Sequence, residues 1–143
     1  MPLTADEDIA AVLAATRSIA LVGASAKPER PSHRVMRFLQ SVGYQVYPVN
    51  PALAGQSLLG STVYPDLAAI PVAIDMVDVF RQSKYLQGIS DQAIAIGART
   101  LWTQLGVVDA AAAATAERAG LAVVMDRCPA IEFPRLRDLG LLS

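Results

Sequence analysis

A chain of 143 residues allows one ordinary domain and leaves little room for a second independently folded core. Hydrophobic residues make up 53% and charged residues 17%, which excludes intrinsic disorder and permits a substantial buried core. With 12 Lys+Arg against 13 Asp+Glu the net charge is −1, so nothing global points to nucleic acid or to an anionic membrane as a partner.

The first eight residues carry acids and lack the basic and apolar regions of a secretory leader, so a cytoplasmic location is expected. Charges at Arg17, Lys27, Asp66, Asp75, Arg81 and Arg99 keep every apolar run well below the roughly 20 residues that span a bilayer. Thr4, followed by Asp6, Glu7 and the spaced Ile9, Val12 and Leu13, predicts a capped helix ending near Thr16. Ser18 to Val22 is a continuous apolar run closed by Gly23, as suits a strand buried on both faces. Val35, Phe38, Leu39 and Val42 form one helical face within Ser32 to Val42, and Gly43 ends it. Tyr44 to Val49 predicts a second strand, stopped by Asn50 and Pro51.

A polar loop then leads through Thr62, Val63 and Tyr64 to a short turn or helix from Pro65 to Ile70. Ile74 to Phe80 reads as a strand despite Asp75 and Asp78, whose spacing places them on opposite faces and argues against a carboxylate pair. Tyr85 to Gly97 predicts a helix, Thr100 to Thr103 a short strand, Asp109 to Arg118 an alanine-rich helix capped by Asp109, and Leu121 to Met125 the last strand. Strand and helix alternate throughout. That alternation predicts an α/β fold, a doubly wound parallel sheet with helices on both faces, spanning residues 1–143 as a single domain.

In such sheets ligands lie at the carboxyl ends of the strands, which directs attention to the loops Gly23 to Pro31, Asn50 to Gly55, Arg81 to Lys84 and Gln104 to Val108. The first loop and the helix after it hold Lys27, Arg30, His33, Arg34 and Arg37. Backbone amides at a helix start, assisted by a lysine or arginine, favour a phosphate there. Lys27 and Arg30 lie in the loop and are assigned to the ligand, whereas Arg34 and Arg37 fit a solvated helix face. His33, the sole histidine, can donate a hydrogen bond to a phosphate or face solvent, and it excludes a histidine-built metal site within one chain.

A dinucleotide fingerprint needs three glycines, but the positions hold Gly23, Ser25 and Pro28, and Asn50 and Pro51 replace the acid that would hold a ribose diol. NAD is disfavoured, while Ser25 still offers a hydroxyl and an amide to a phosphate. Cys128 follows the last strand beside Arg127, a setting for a thiolate, although a lone cysteine also serves as a small buried apolar residue and cannot form an internal disulfide. No GxSxG elbow supports a serine triad. Phe80 and Trp102 can line a slot for a base or an arm, or simply fill the core.

The segments VGASAKPERPSHRV from Val22, PVNP from Pro48, DMVDVFR from Asp75, WTQLGV from Trp102 and VMDRCPAIE from Val124 together resemble the stand-alone CoA-binding domain family. These proteins are small relatives of the amino-terminal domain of succinyl-CoA synthetase alpha subunits. The resemblance implies a Rossmann-like domain that binds coenzyme A or acyl-CoA, with the phosphates on the first loop. It places Ser25, Ala26, Lys27 and Pro28 at the phosphates and Thr103, Gln104 and Leu105, followed by Gly106, at a late-strand contact, while position at the strand ends adds Gly23, Ala24, Arg30, His33, Asn50, Pro51, Phe80 and Arg81 to the expected binding residues. The synthetases carry a lysine where this chain has Leu53, so Lys27 or Arg30 is expected to replace it. They also use a phosphorylated histidine in a second domain, so ligase chemistry is not expected here. The resemblance implies no catalytic residue and no metal. It suits a carrier, a sensor, or a subunit of a larger enzyme or homodimer. Two alternatives stand beside it: a small enzyme using Cys128 or Asp126, and a degenerate domain that binds only proteins.

Overall fold

Apolar runs without alternation have no face to show to water, and here they become the middle of one parallel sheet. The computed structural model describes all 143 residues. In chain order the elements are α1 (Asp6–Ala15), β1 (Ser18–Val22), α2 (Pro31–Ser41), β2 (Gln45–Val49), β3 (Ser57–Leu58), β4 (Ser61–Thr62), β5 (Met76–Val79), α3 (Leu86–Ala95), β6 (Thr100–Thr103), α4 (Ala110–Arg118), β7 (Ala122–Val124) and α5 (Pro129–Asp138). Single 3-10 turns at Pro51–Leu53, Leu67–Ala69 and Ser83–Tyr85 fill the connections.

Five strands pair in the order β2-β1-β5-β6-β7, all parallel, and β3 and β4 form a separate antiparallel hairpin. Strand order reverses beside β1, so the crevice of a doubly wound sheet opens where β1 and β5 end. One face of the sheet is covered by α1, α2 and α5 around Ile9, Leu21, Met36, Trp102 and Leu136. The other is covered by α3, α4 and the Leu67–Ala69 turn around Ala20, Val77, Leu86, Leu101 and Ala112. No helix is long and apolar enough to cross a membrane.

Both outer strands are partly covered. Leu3 N–H donates to the Val123 carbonyl at 2.8 Å beside β7. On β2, Tyr64 N–H donates to the Pro48 carbonyl at 2.9 Å and Asn50 N–H to the Tyr64 carbonyl at 3.0 Å, while Pro48 itself has no N–H to offer.

Several expectations need correction. Thr4 does not cap α1; the helix starts after Ala5, which makes no side-chain cap, because Leu3 is drawn onto β7 and carries Thr4 with it. The third long strand is only Met76–Val79, since Asp75 turns its carboxylate back to accept from the Arg17 amide at 2.9 Å and the Ser18 amide at 3.2 Å. The final helix α5 went unpredicted, because Pro129 and Pro134 punctuate its sequence. Pro129 sits at the first helical turn, where its missing N–H costs nothing. Pro134 loses one internal bond, and packing offsets this: Phe133 meets Phe38 and Tyr44 edge-on at 5.9 and 6.0 Å, and Arg135 forks onto Asp6 at 2.8 and 3.1 Å. By contrast Asp109 caps α4 as its sequence predicts, accepting from the Ala111 and Ala112 amides at 3.0 and 3.1 Å.

Candidate functional site

Where β1 ends, Gly23 adopts φ +92, a conformation that disfavours any side chain. A Cβ there would lie 3.0 Å from the backbone of Phe80, so the glycine lets the first loop lie against the end of β5. The loop is then fixed from β2. Gly23 and Ala24 amides donate to the Val49 carbonyl at 3.0 and 3.2 Å, and Asn50 Nδ2 donates to the Ala24 carbonyl at 2.8 Å. Asn50 Oδ1 accepts from Ala52 N–H at 2.9 Å. The residue standing where a ribose-binding acid was sought is therefore the clamp of the loop.

Beyond this clamp the backbone is unsatisfied. Lys27 N–H is taken by Ser25 Oγ at 3.1 Å, but the amides of Ser25, Ala26 and Ser32 donate to no protein group. α2 begins without a side-chain cap, so its positive end adds to theirs. Lys27 and Arg30 are exposed and neither pairs with an acid; the ion pairs of the chain lie elsewhere, at Glu117, Glu132 and Asp6. Ser25, Lys27, Arg30, Ser32, Phe80 and Gln104 line a cavity of about 320 Å³. Gln104 Oε1 is buried there with no hydrogen-bond donor. Leu105 is on its rim, 54% exposed.

A second lobe of about 620 Å³ shares Gly23 and Phe80 with the first. Asn50, Pro51 and Arg81 line it as expected, and so do Asp66, Tyr85 and Gln92, which the sequence did not suggest. The Arg81 guanidinium lies over the Tyr85 ring, 4.2 Å from its centroid. Asp66 caps the Leu67–Ala69 turn by accepting from Ala69 N–H at 2.8 Å, a role visible in the sequence as an acid after a proline. Gln92 on α3 and Tyr85 at its N-cap arrive from the opposite face of the sheet, and no local pattern could place them.

The remaining expected residues are distributed as follows. Ala24 is buried, and Ala26 and Pro28 are exposed on the loop without lining either lobe. Thr103 is wholly buried; its hydroxyl donates to the Val107 carbonyl at 2.7 Å and accepts from Asp126 N–H at 3.0 Å. Gly106 N–H donates to Asp126 Oδ1 at 2.7 Å, which holds Asp126 at φ +61. Trp102 is core, its Nε1–H donating to the Arg127 carbonyl at 2.9 Å. Cys128 is buried at the start of α5, and Arg127 beside it is spent on Glu132 at 2.8 Å.

His33 does not face solvent: it is 5% exposed and its Nδ1 has no partner. Arg34 and Arg37 do lie on the solvated face. Asp78 is fully buried with both carboxylate oxygens unpartnered, aligned between Leu21 and Trp102 on the face beneath α2. Burial pushes its carboxyl well above the usual carboxylate range. No group of three or more potential metal ligands is gathered anywhere.

The sequence model of the CoA binding domain matches residues 17–134. The chain is 36% identical over 121 residues to the uncharacterized protein YneT of Bacillus subtilis (strain 168), covering 85% of this chain and 88% of that one. Among solved structures it resembles Prb, a PH1109 protein redesigned for binding, at 40% identity and TM-score 0.91 over 96% of this chain and 95% of the other. A hypothetical protein from Pyrococcus horikoshii OT3 gives 41% identity and TM-score 0.90 over 96% of each chain. An acetyl-coenzyme A synthetase of Ca. Korarchaeum cryptofilum, at 24% identity and TM-score 0.66, shares the fold over 78% of this chain and 26% of its own.

Proposed function

Because the chain belongs to the CoA-binding domain family, we propose that residues 1–143 act as one unit that binds coenzyme A or an acyl-CoA along the carboxyl ends of the strands. The phosphates rest on the Gly23 to Pro31 loop. What supports this reading is the concentration of unspent polar groups around one crevice: three free amides, an uncapped helix start, and two cations without acidic partners. A multiply anionic ligand satisfies all of them together. The orphan Oε1 of Gln104 calls in addition for an N–H or O–H donor, which the amide-containing arm of coenzyme A carries.

Coenzyme A is expected to raise the melting temperature by mass action, and dephospho-CoA, NAD and ATP to do so less. Lys27→Ala and Arg30→Ala should each weaken binding by about 1 to 3 kcal/mol, read by calorimetric titration. Absence of any thermal shift at millimolar coenzyme A overturns the proposal. Unchanged affinity in both variants moves the phosphates to another part of the crevice.

A further inference from the structure

Of the nine glycines in the chain, eight adopt a positive φ, a backbone conformation that favours glycine over other residues. Gly88 is the exception. It lies within α3, and the 3-10 turn Ser83–Tyr85 leads directly into that helix, so its backbone is one in which glycine is disfavoured against alanine. Packing does not require a glycine either: a Cβ there would meet no protein atom within 4 Å.

What Gly88 faces is the 620 Å³ lobe. Tyr85, Gly88, Ile89 and Gln92 all line it, and their spacing of three, four and seven residues makes one stripe along a helix. Tyr85 is 42% exposed at one end of the stripe, with the Arg81 guanidinium over its ring, and Gln92 stands at the other. Ile89 is buried among the core residues of that side of the sheet. Between Tyr85 and Gln92 the wall is therefore bare backbone, a step on which a flat group can lie against the helix.

The rest of the crevice decides which end of the ligand arrives there. The lobe shares Gly23 and Phe80 with the phosphate cavity, so the two are continuous. On the β6 side of that cavity Gln104 Oε1 lacks a donor, which the amide-containing arm supplies. With the phosphates in the middle and the arm toward β6, the nucleoside end extends toward β2 and α3. Its base is the one flat ring that coenzyme A has.

We propose that Gly88 is a specificity-determining residue: the side chain it lacks is the space taken by the nucleobase of the ligand, which lies on the α3 wall beside Tyr85. The inference rests on the CoA-binding reading above and adds to it a residue that lies outside the expected site.

The test compares Gly88→Ala and Gly88→Leu with the unaltered chain, by melting curves without ligand and by calorimetric titration with coenzyme A and with ADP, which keeps base and phosphates and lacks the arm. Gly88→Ala is expected to raise the melting temperature by about 1 to 4 °C, because alanine suits a helix and the position has room for it. The same variant should bind coenzyme A about three-fold more weakly, and Gly88→Leu about ten-fold or more, with ADP losing affinity by the same factors. Stability and affinity then move in opposite directions, which a glycine kept for the fold does not allow. A fall in melting temperature in Gly88→Ala overturns the inference, as does unchanged coenzyme A affinity in Gly88→Leu. Loss for coenzyme A that spares ADP, or no binding of ADP to the unaltered chain, puts a part of the ligand other than the base beside Gly88 and overturns it too. Failure of the unaltered chain to bind coenzyme A overturns the underlying CoA reading and this inference with it.

Discussion

At the amino-terminal edge of the sheet, Asp75 accepts from the Arg17 and Ser18 amides, donates its own N–H to Ser18 Oγ at 2.9 Å, and offers its carbonyl to the Arg99 and Thr100 amides. Ser18 Oγ donates in turn to the Ala73 carbonyl, and the Tyr44 hydroxyl to the Leu13 carbonyl at 2.6 Å. At the carboxyl edge, one strand length away, the Ser25, Ala26 and Ser32 amides and Gln104 Oε1 have no protein partner. One edge consumes its hydrogen-bonding capacity in holding strands together, and the other leaves part of its own unspent. Stability and the proposed binding are thus separated along the strand axis, as the geometry of parallel sheets favours.

The sharpest way to break this separation is at Gly23, which belongs to both roles. Gly23→Ala forces a Cβ against the Phe80 backbone at φ +92 and should cost roughly 3 kcal/mol of stability. It should also reduce coenzyme A affinity at least ten-fold, as seen by denaturant melts and titration on the same variant. Asp75→Ala should cost about 2 kcal/mol by stranding two amides, yet leave ligand affinity unaltered in the molecules that remain folded. Loss of affinity there would mean that the two edges are coupled after all.

Asp78 sharpens the comparison from the opposite direction, because it is a polar group that neither edge serves. Its folded pKa lies above the unfolded value, so the folded state holds the proton more tightly. Stability is then greatest below the unfolded pKa near 4 and declines as pH rises from there toward the folded pKa. Asp78→Asn cannot ionise and should be the more stable protein at pH 8 by about 1 kcal/mol or more, with the gap closing on acidification to pH 4. A gap that widens in acid would show the carboxylate to be partnered. The smallest effect is expected from Lys27→Ala and Arg30→Ala without ligand: both side chains are exposed and unpaired, and the melting free energy should move by no more than about 0.5 kcal/mol.

Much of this layout is legible in the residues themselves. The five parallel strands follow from short apolar runs, two of them closed by Gly23 and by Asn50-Pro51 and the others by polar loops. The crevice residues Gly23, Ser25, Lys27, Asn50, Phe80, Arg81 and Gln104 follow from their position just after those runs. Burial of His33 also had a local signal, since it stands three residues before Met36 on the buried arc of α2. What sequence could not supply is tertiary. The final helix contradicts local proline rules and exists through Phe133, Leu136 and Arg135 meeting α1 and α2. Tyr85 reaches the crevice because α3 packs on the far face, a fact written in no window of neighbouring residues. The hairpin of β3 and β4 was hidden by two-residue strands too short to show a period.

The partial covering of the two outer strands has a consequence for assembly. With Leu3 seated beside β7, and Tyr64 and the imino nitrogen of Pro48 blunting β2, neither flank presents a continuous ladder for a neighbouring molecule to extend. Edge-to-edge polymerisation is thereby resisted even though the strands themselves are as apolar as those of aggregation-prone peptides. The sheet therefore keeps a width of five strands.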